Sequence, residues 1–247
     1  MRIATLLFAL VGVVAQDSRG DEFRPRDTQK GGGAPPSPGQ AAELISVPPG
    51  FEVTLFAGEP DLRQPIGMAL DDRGRLWVAE SYSYKEWEKR GEDRVLVFED
   101  TDGDGRFDSR KMFWDEGRHI SSVEVGFGGV WVIDVPNLLF IPDRDSDDRP
   151  DSDAEVKLTG FILKASHNMA NGLRWGPDGW LYGRHGVLAK SSVKIPGAEP
   201  LAGIEGEFDC AIWRYHPTAD GGRFEVFCRG MTNPWGMDWN GHGDLFF

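Results

Sequence analysis

The chain has 247 residues, with 40 acidic against 27 basic side chains and a formal charge of −13. A surface this acidic repels phosphates and excludes nucleic acid as a partner. No CxxCH run and no zinc-type Cys/His spacing occurs, while nine tryptophans, fifteen phenylalanines and 32 glycines predict short aromatic strands joined by tight turns.

In chain order, Arg2 precedes an uncharged apolar run from Ile3 to Val14 and small residues before Gln16. This reads as a secretory signal over 1–15, too short to span a bilayer, and predicts export to the periplasm or cell envelope. Residues 16–43 mix charge with Gly, Pro and Ser, carry almost no apolar side chain, and read as a disordered linker. Residues 44–247 are then long enough for one large domain. Its first stretch, GFEVTLFAG at 50–58, is a candidate strand that would complete the last blade of a closed ring.

Four stretches repeat one pattern: GMALDDRGRLW from Gly67, SSVEVGFGGVW from Ser121, GLRWGPDGWLY from Gly172 and GMDWNGHGDLF from Gly236. Each has an apolar strand, a turn closing on glycine, and then an apolar residue and an aromatic. A recurrence every fifty to sixty residues or so marks one supersecondary unit, and four strands with three turns fill that length. The predicted fold is all-β, a β-propeller, present as about three blades plus the start of a fourth. Three blades do not close a ring, so the chain reads as an N-terminal piece of something longer.

After the first and second hairpins come EDTDGDGRFD and PDRDSDDRPD. The aspartates Asp100, Asp102, Asp104 and Asp108 have the same spacing as Asp143, Asp145, Asp147 and Asp151. Alternate residues of a tight loop can turn carboxylates to one centre, as a calcium ion with its six to eight oxygen ligands requires. Gly105 stands where such a loop turns sharply; Asp148 takes that place in the second copy, and the twelfth-position glutamate of an EF-hand is Lys111 or Ala154. The two readings are calcium-bearing outer hairpins and solvated acidic turns. A third hairpin is flanked by Cys210 and Cys228, symmetric about residue 219, so these are either a cross-strand disulfide or two small apolar residues.

Chemistry is expected where the chain enters an innermost strand. Before Gly172 stand His167, Asn168 and Asn171; after the same hairpin stand Arg184 and His185; before Gly236 stands Asn233. A histidine can take a proton near neutral pH and an arginine can hold an anionic cofactor or oxyanion, although a lone histidine also serves as a hydrogen-bonded structural residue and Asn-Pro as a plain turn.

HNMANGLRWGPDGWLYGRHG resembles the His-bearing blade motif of soluble pyrroloquinoline-quinone sugar dehydrogenases of the glucose/sorbosone type. Together, PPGFEVTLFAGEP, PIGMALDDRGRLWVAES, FEDTDGDGRFD and NGLRWGPDGWLYGRHG resemble the N-terminal propeller of the membrane-bound dehydrogenase family described from planctomycete-type bacteria. The resemblance implies six blades in the intact protein, a sugar or other alcohol as substrate, and envelope association through further domains, with haem only in a downstream module. It also implies pyrroloquinoline quinone as cofactor, His167 as the base, and Arg184 and Asn233 at the cofactor; Thr232-Asn233 stands where those enzymes carry Arg-Asn. A non-catalytic propeller that binds carbohydrate, including polysaccharide, or a protein partner is the alternative, and a calcium-dependent lactonase is a third.

Overall fold

The structure, a computed structural model, describes residues 33–84, 92–164, 167–197, 207–218 and 221–247. The expected signal and the linker up to residue 32 lie outside the described residues. The chain divides into two compact units, 1–46 and 47–247. In the first, α1 (Pro38–Glu43) is a short helix within the stretch expected to be disordered. Its Ser37 hydroxyl accepts from the Gln40 amide while the Gln40 side chain accepts from the Ser37 amide, a reciprocal cap for two donors that a helix start leaves over. None of its residues is buried, so it has no core of its own.

The second unit is built from antiparallel sheets in strict chain order. The first contains β1 (Pro65–Leu70), β2 (Leu76–Glu80), β3 (Asp93–Glu99) and β4 (Ser109–Gly117). The second contains β5 (Ile120–Val125), β6 (Gly129–Asp134), β7 (Asn137–Pro142) and β8 (Glu155–Thr159). The third contains β9 (Asn171–Trp175), β10 (Leu181–His185), β11 (Ala211–His216) and β12 (Arg223–Arg229), and a hairpin of β13 (Asp238–Trp239) and β14 (Leu245–Phe246) follows. These are β-propeller blades. Each begins at one copy of the glycine-to-aromatic repeat, and the aspartate loops join the third and fourth strands of the first two blades.

Strand side chains alternate between faces, so each blade offers apolar residues to both neighbours. Trp77, Ala79, Val95 and Val97 of the first blade meet Val123, Val130, Val132 and Ile141 of the second. Trp131, Ile133 and Phe140 of the second meet Leu173, Leu181, Trp213 and Tyr215 of the third. Trp77, Trp131 and Trp213 are essentially fully buried, each contributing roughly 2–3 kcal/mol of transfer free energy. Polar bonds cross the same joints: the Ser121 hydroxyl donates to Ala170 O at 2.6 Å, the Leu173 amide to Ser122 Oγ at 2.9 Å, and Trp175 Nε1 to Val125 O at 2.9 Å.

One local expectation is corrected and one open alternative is decided. Residues 51–58 form no strand; Phe56 instead packs on Phe98 and Phe107 beside the first blade, and the Phe107 amide donates to Phe56 O. Cys210 and Cys228 are unbonded, because the hairpin is one residue out of the symmetric register and a bulge between Val226 and Cys228 adds a second: Cys228 lies opposite Ile212, and Cys210 O accepts from Gly230 N. The β10–β11 connection is also long. Part of it crosses to the second blade, where Thr159 and Lys194 exchange backbone hydrogen bonds at 2.9 Å each way.

Candidate functional site

A cavity of roughly 330 Å³ opens among the innermost strands. Ile66 and Met68 come from β1, Ser121 and Ser122 from β5, Asn171 and Arg174 from β9; Arg184 reaches in from β10, and Trp235 stands just before β13. The two serine hydroxyls are occupied in joining blades, as described above. Arg184 is not so occupied. It pairs with Asn171 across a bulge that skips Gly183, and its guanidinium lies over Gly172, where a Cβ would fall 1.7 Å from Nη2. Only glycine leaves that space, and it also allows the left-handed φ of +62° found there.

Arg184 Nε and Nη1 are buried and have no hydrogen-bond partner among the described residues, and neither has Asn171 Oδ1. Burial lowers the Arg184 pKa to about 10, which leaves it cationic at neutral pH. Asn171 Nδ2 donates to Met169 O at 2.8 Å, which fixes its oxygen as the free acceptor. The cavity therefore carries a desolvated cation with unused donors beside an unused acceptor. Buried polar groups cost free energy unless they are paired, so this arrangement suits a ligand with an acidic group and a nearby hydroxyl.

His167 is exposed and does not line the cavity; its Nδ1 is hydrogen-bonded to the Tyr84 hydroxyl, with the two rings edge to face at 5.6 Å. Asn233 is also absent from the lining. Its carboxamide packs on Gly186, with Oδ1 buried and unpartnered. Of the three residues expected at the catalytic and cofactor positions, the cavity receives Arg184. Buried His185 contacts Ser191 Oγ at 2.9 Å and the Ala189 carbonyl, and burial lowers its pKa to about 4, so it is a neutral structural residue.

Sequence reasoning missed a row of charges. The residue opposite the repeat aromatic is Ala69 facing Trp77, Glu124 facing Trp131, Arg174 facing Tyr182 and Asp238 facing Phe246. Arg174 Nη2 donates to Asp238 Oδ1 at 3.4 Å. Burial pushes the Glu124 pKa up to about 7, against a hydrogen bond from the Val125 amide and the charge of Arg174. Aligning the four copies on their aromatics would have exposed this column, since it lies inside the strands, away from their entrances.

Both aspartate loops take a compact, self-bonded form. Asp100 accepts from the Gly103 and Gly105 amides, and Asp108 from the Thr101 amide and hydroxyl; the Thr101 bonds hold the Asp108 carboxyl below its ordinary range. The second loop repeats the device, with Asp143 accepting from Asp147 N and Asp151 from Arg144 N. Carboxylate oxygens of Asp100, Asp102 and Asp108 lie within 4.8 Å of one another, as do those of Asp143, Asp145 and Asp147. Asp104 accepts from Arg106 N and Asp151 from Arg144 N, so the gathered trio differs between loops. Asp148 takes the left-handed conformation that Gly105 has in the first loop, and Arg75 and Lys111 of the first blade both bond to it. Burial works against its ionisation, yet those hydrogen bonds hold its carboxyl below the ordinary range.

A family described as a domain of unknown function, DUF7133, matches residues 37–247. No curated protein matches the chain. Among solved structures it is similar to a luciferin-regenerating enzyme (12% identity, TM-score 0.44, 75% of this chain and 52% of that one). It is also similar to a glucose dehydrogenase-type oxidoreductase from Thermus thermophilus (19%, 0.46, 74% and 57%). A third is a 6-phosphogluconolactonase-like protein from Bacteroides fragilis (11%, 0.44, 78% and 64%). The chain thus spans between half and two-thirds of the length of these structures. Among the described residues no helix is long and apolar enough to cross a membrane.

Proposed function

Because the chain belongs to the DUF7133 family, whose description names no activity, we propose a function from its cavity and its sequence resemblance: an exported dehydrogenase propeller that oxidises a sugar or other alcohol with pyrroloquinoline quinone. The single observation that carries this reading is the buried guanidinium of Arg184, with two unpartnered N–H groups beside the orphan acceptor of Asn171. A quinone bearing carboxylates fits that donor set. Arg184 would hold one carboxylate and Asn171 would accept from a ring N–H or a substrate hydroxyl. The quinone, when bound, supplies the two-electron acceptor. His167 takes the proton of the substrate hydroxyl on this reading. In the tautomer whose Nδ1–H donates to Tyr84 Oη, the Nε2 lone pair is the acceptor. The aspartate hairpins bind calcium, and further domains of the intact protein hold it at the envelope.

The test is titration of the protein with the quinone, followed by calorimetry. Arg184→Met is expected to weaken binding at least about tenfold, the loss of one charge-assisted contact. Reduction of an added dye then reports turnover. Equal binding by the variant, or no binding by the parent, removes the quinone from the reading. One observation favours the alternative of a non-catalytic carbohydrate- or protein-binding module: His167 lies outside the cavity lining. That module would retain polysaccharide without turnover.

Calcium binding has its own expected result. Asp102→Ala/Asp104→Ala and Asp145→Ala/Asp147→Ala are each expected to remove about one ion in a calcium titration, since Asp102 in the first loop and Asp145 with Asp147 in the second are among the gathered carboxylates. Binding that survives both double changes assigns the loops to surface acidity alone.

A further inference from the structure

At the opposite ends of the inner strands lies a second cavity, of roughly 380 Å³, within the range of small-molecule sites. The β1–β2 turn forms one wall, with Leu70, Asp71, Asp72 and Arg73; the β5–β6 turn forms another, with Gly126, Phe127 and Gly128; Asp143 and Ser146 of the second aspartate loop close it. Phe127 decides its character. The ring is 55% exposed, so it contributes little to the core. Its backbone has φ 55°, a conformation that costs a bulky residue free energy, between two glycines that also have positive φ. The ring is nonetheless held in place, 4.5 Å from that of Trp175, whose Nε1 is tied to Val125 O.

The polar groups of this cavity divide into used and unused. Asp71 is saturated by the amides of Arg73 and Arg75, by Arg75 Nε and by Trp77 Nε1. Arg75 is neutralised between Asp71 and Asp148 at 2.8 and 2.6 Å. Asp143 accepts from Asp147 N inside its loop. Asp72, Arg73 and Ser146 are exposed, and among the described residues their side chains have no partner. A fixed apolar plane thus lines the same cavity as a free carboxylate, a free guanidinium and a free hydroxyl. Asp71, Asp72 and Asp143 against Arg73 and Arg75 leave a small net negative charge, which disfavours an anionic ligand, while unpaired groups of both signs suit a neutral one. A pyranose has what this surface lacks, an apolar C–H face and an edge of hydroxyls that both donate and accept.

We propose that this cavity is a carbohydrate site for a neutral sugar chain, with Phe127 against a pyranose face and Asp72, Arg73 and Ser146 on its hydroxyl edge. It is separate from the axial cavity and does not depend on quinone binding.

The test is calorimetric titration of the full chain with cellotetraose, mannotetraose and xylotetraose, alongside tetragalacturonate and a chitosan tetramer. At least one neutral chain is expected to bind. Phe127→Leu is expected to weaken it at least about tenfold, Asp72→Asn about threefold, and Phe127→Trp is expected to restore parent affinity, because a planar ring rather than bulk is required. Excess quinone, which addresses the axial cavity, is expected to leave the titration unchanged. The proposal is overturned if no neutral chain binds, if only a charged chain binds, if Phe127→Leu binds as the parent does, or if quinone displaces the sugar. Loss of quinone binding with sugar binding intact would count against the dehydrogenase reading alone.

Discussion

Asp93→Ala is expected to lower the unfolding free energy by about 3–5 kcal/mol, the scale for removing a buried charged acceptor from several donors at once. Asp93 is fully buried at the start of β3. Its Oδ1 accepts from the Ser83 amide at 2.8 Å; its Oδ2 accepts from the Ser83 hydroxyl at 2.6 Å, the Ser81 hydroxyl at 3.3 Å and the Ile120 amide at 2.9 Å. The last bond ties the first blade to the first strand of the second. Truncation therefore strands backbone donors on both sides of a joint. Asp93→Asn is expected to fall between the parent and the alanine variant, since one oxygen still accepts while its amide group faces donors. Urea unfolding midpoints measure both. A loss below about 1 kcal/mol for Asp93→Ala would place these donors in contact with solvent and not in a sealed joint.

Glu124→Gln is also expected to gain stability over the parent as pH rises from about 4.5 to 7. The Glu124 pKa is pushed up to about 7 from an ordinary 4.5. The folded state then keeps a proton that the unfolded chain releases across this interval. Proton binding favours the folded form, so the contribution is fully present below the unfolded value and is lost as pH rises through the folded one. Its size is up to about 3 kcal/mol, at 1.36 kcal/mol per pKa unit. His185, with its pKa lowered to about 4, acts with the opposite sign over nearly the same interval in parent and variant alike, so the difference between the two proteins isolates Glu124. Asp71 and Asp148, held below their ordinary range, also act with the opposite sign and lose their contribution only in stronger acid. Thermal melts of both proteins from pH 5 to 8 read the difference: the variant should gain on the parent as pH rises and be the more stable of the two at pH 8. A difference that does not change with pH would mean that Glu124 ionises in place.

The blade register was legible because it is written three times in short-range chemistry. A glycine turn followed by an aromatic sets the first hairpin, and an aspartate loop or Gly-rich turn sets the second, so β1 to β12 fall where the repeat puts them. Features set by backbone accidents were not legible. The hairpin pairs one residue out of the symmetric register and the bulge at Phe227 adds another, which puts Cys228 opposite Ile212, and symmetry counted along the chain cannot detect either. Arg184 could be singled out as a cation near an inner strand, but its lack of partners depends on Gly172 and on the missing Cβ that lets the guanidinium lie flat. The partner of His167 could not be read either. Tyr84 lies 83 residues away in the chain and meets it only after two blades have docked. The column of Glu124, Arg174 and Asp238 was not legible from strand entrances, because it lies within the paired strands opposite the repeat aromatics.

Asp148 belongs to the second blade by sequence, but Arg75 and Lys111 of the first blade grip it. The hairpin loop is thus a rivet between two plates. Release of Asp148 must wait for the joint to part, so the lifetime of this anchor is that of the interface and not that of a surface turn. Any cation gathered by Asp143, Asp145 and Asp147 would then stiffen two blades at once, whereas one held by the first loop would act on its own hairpin.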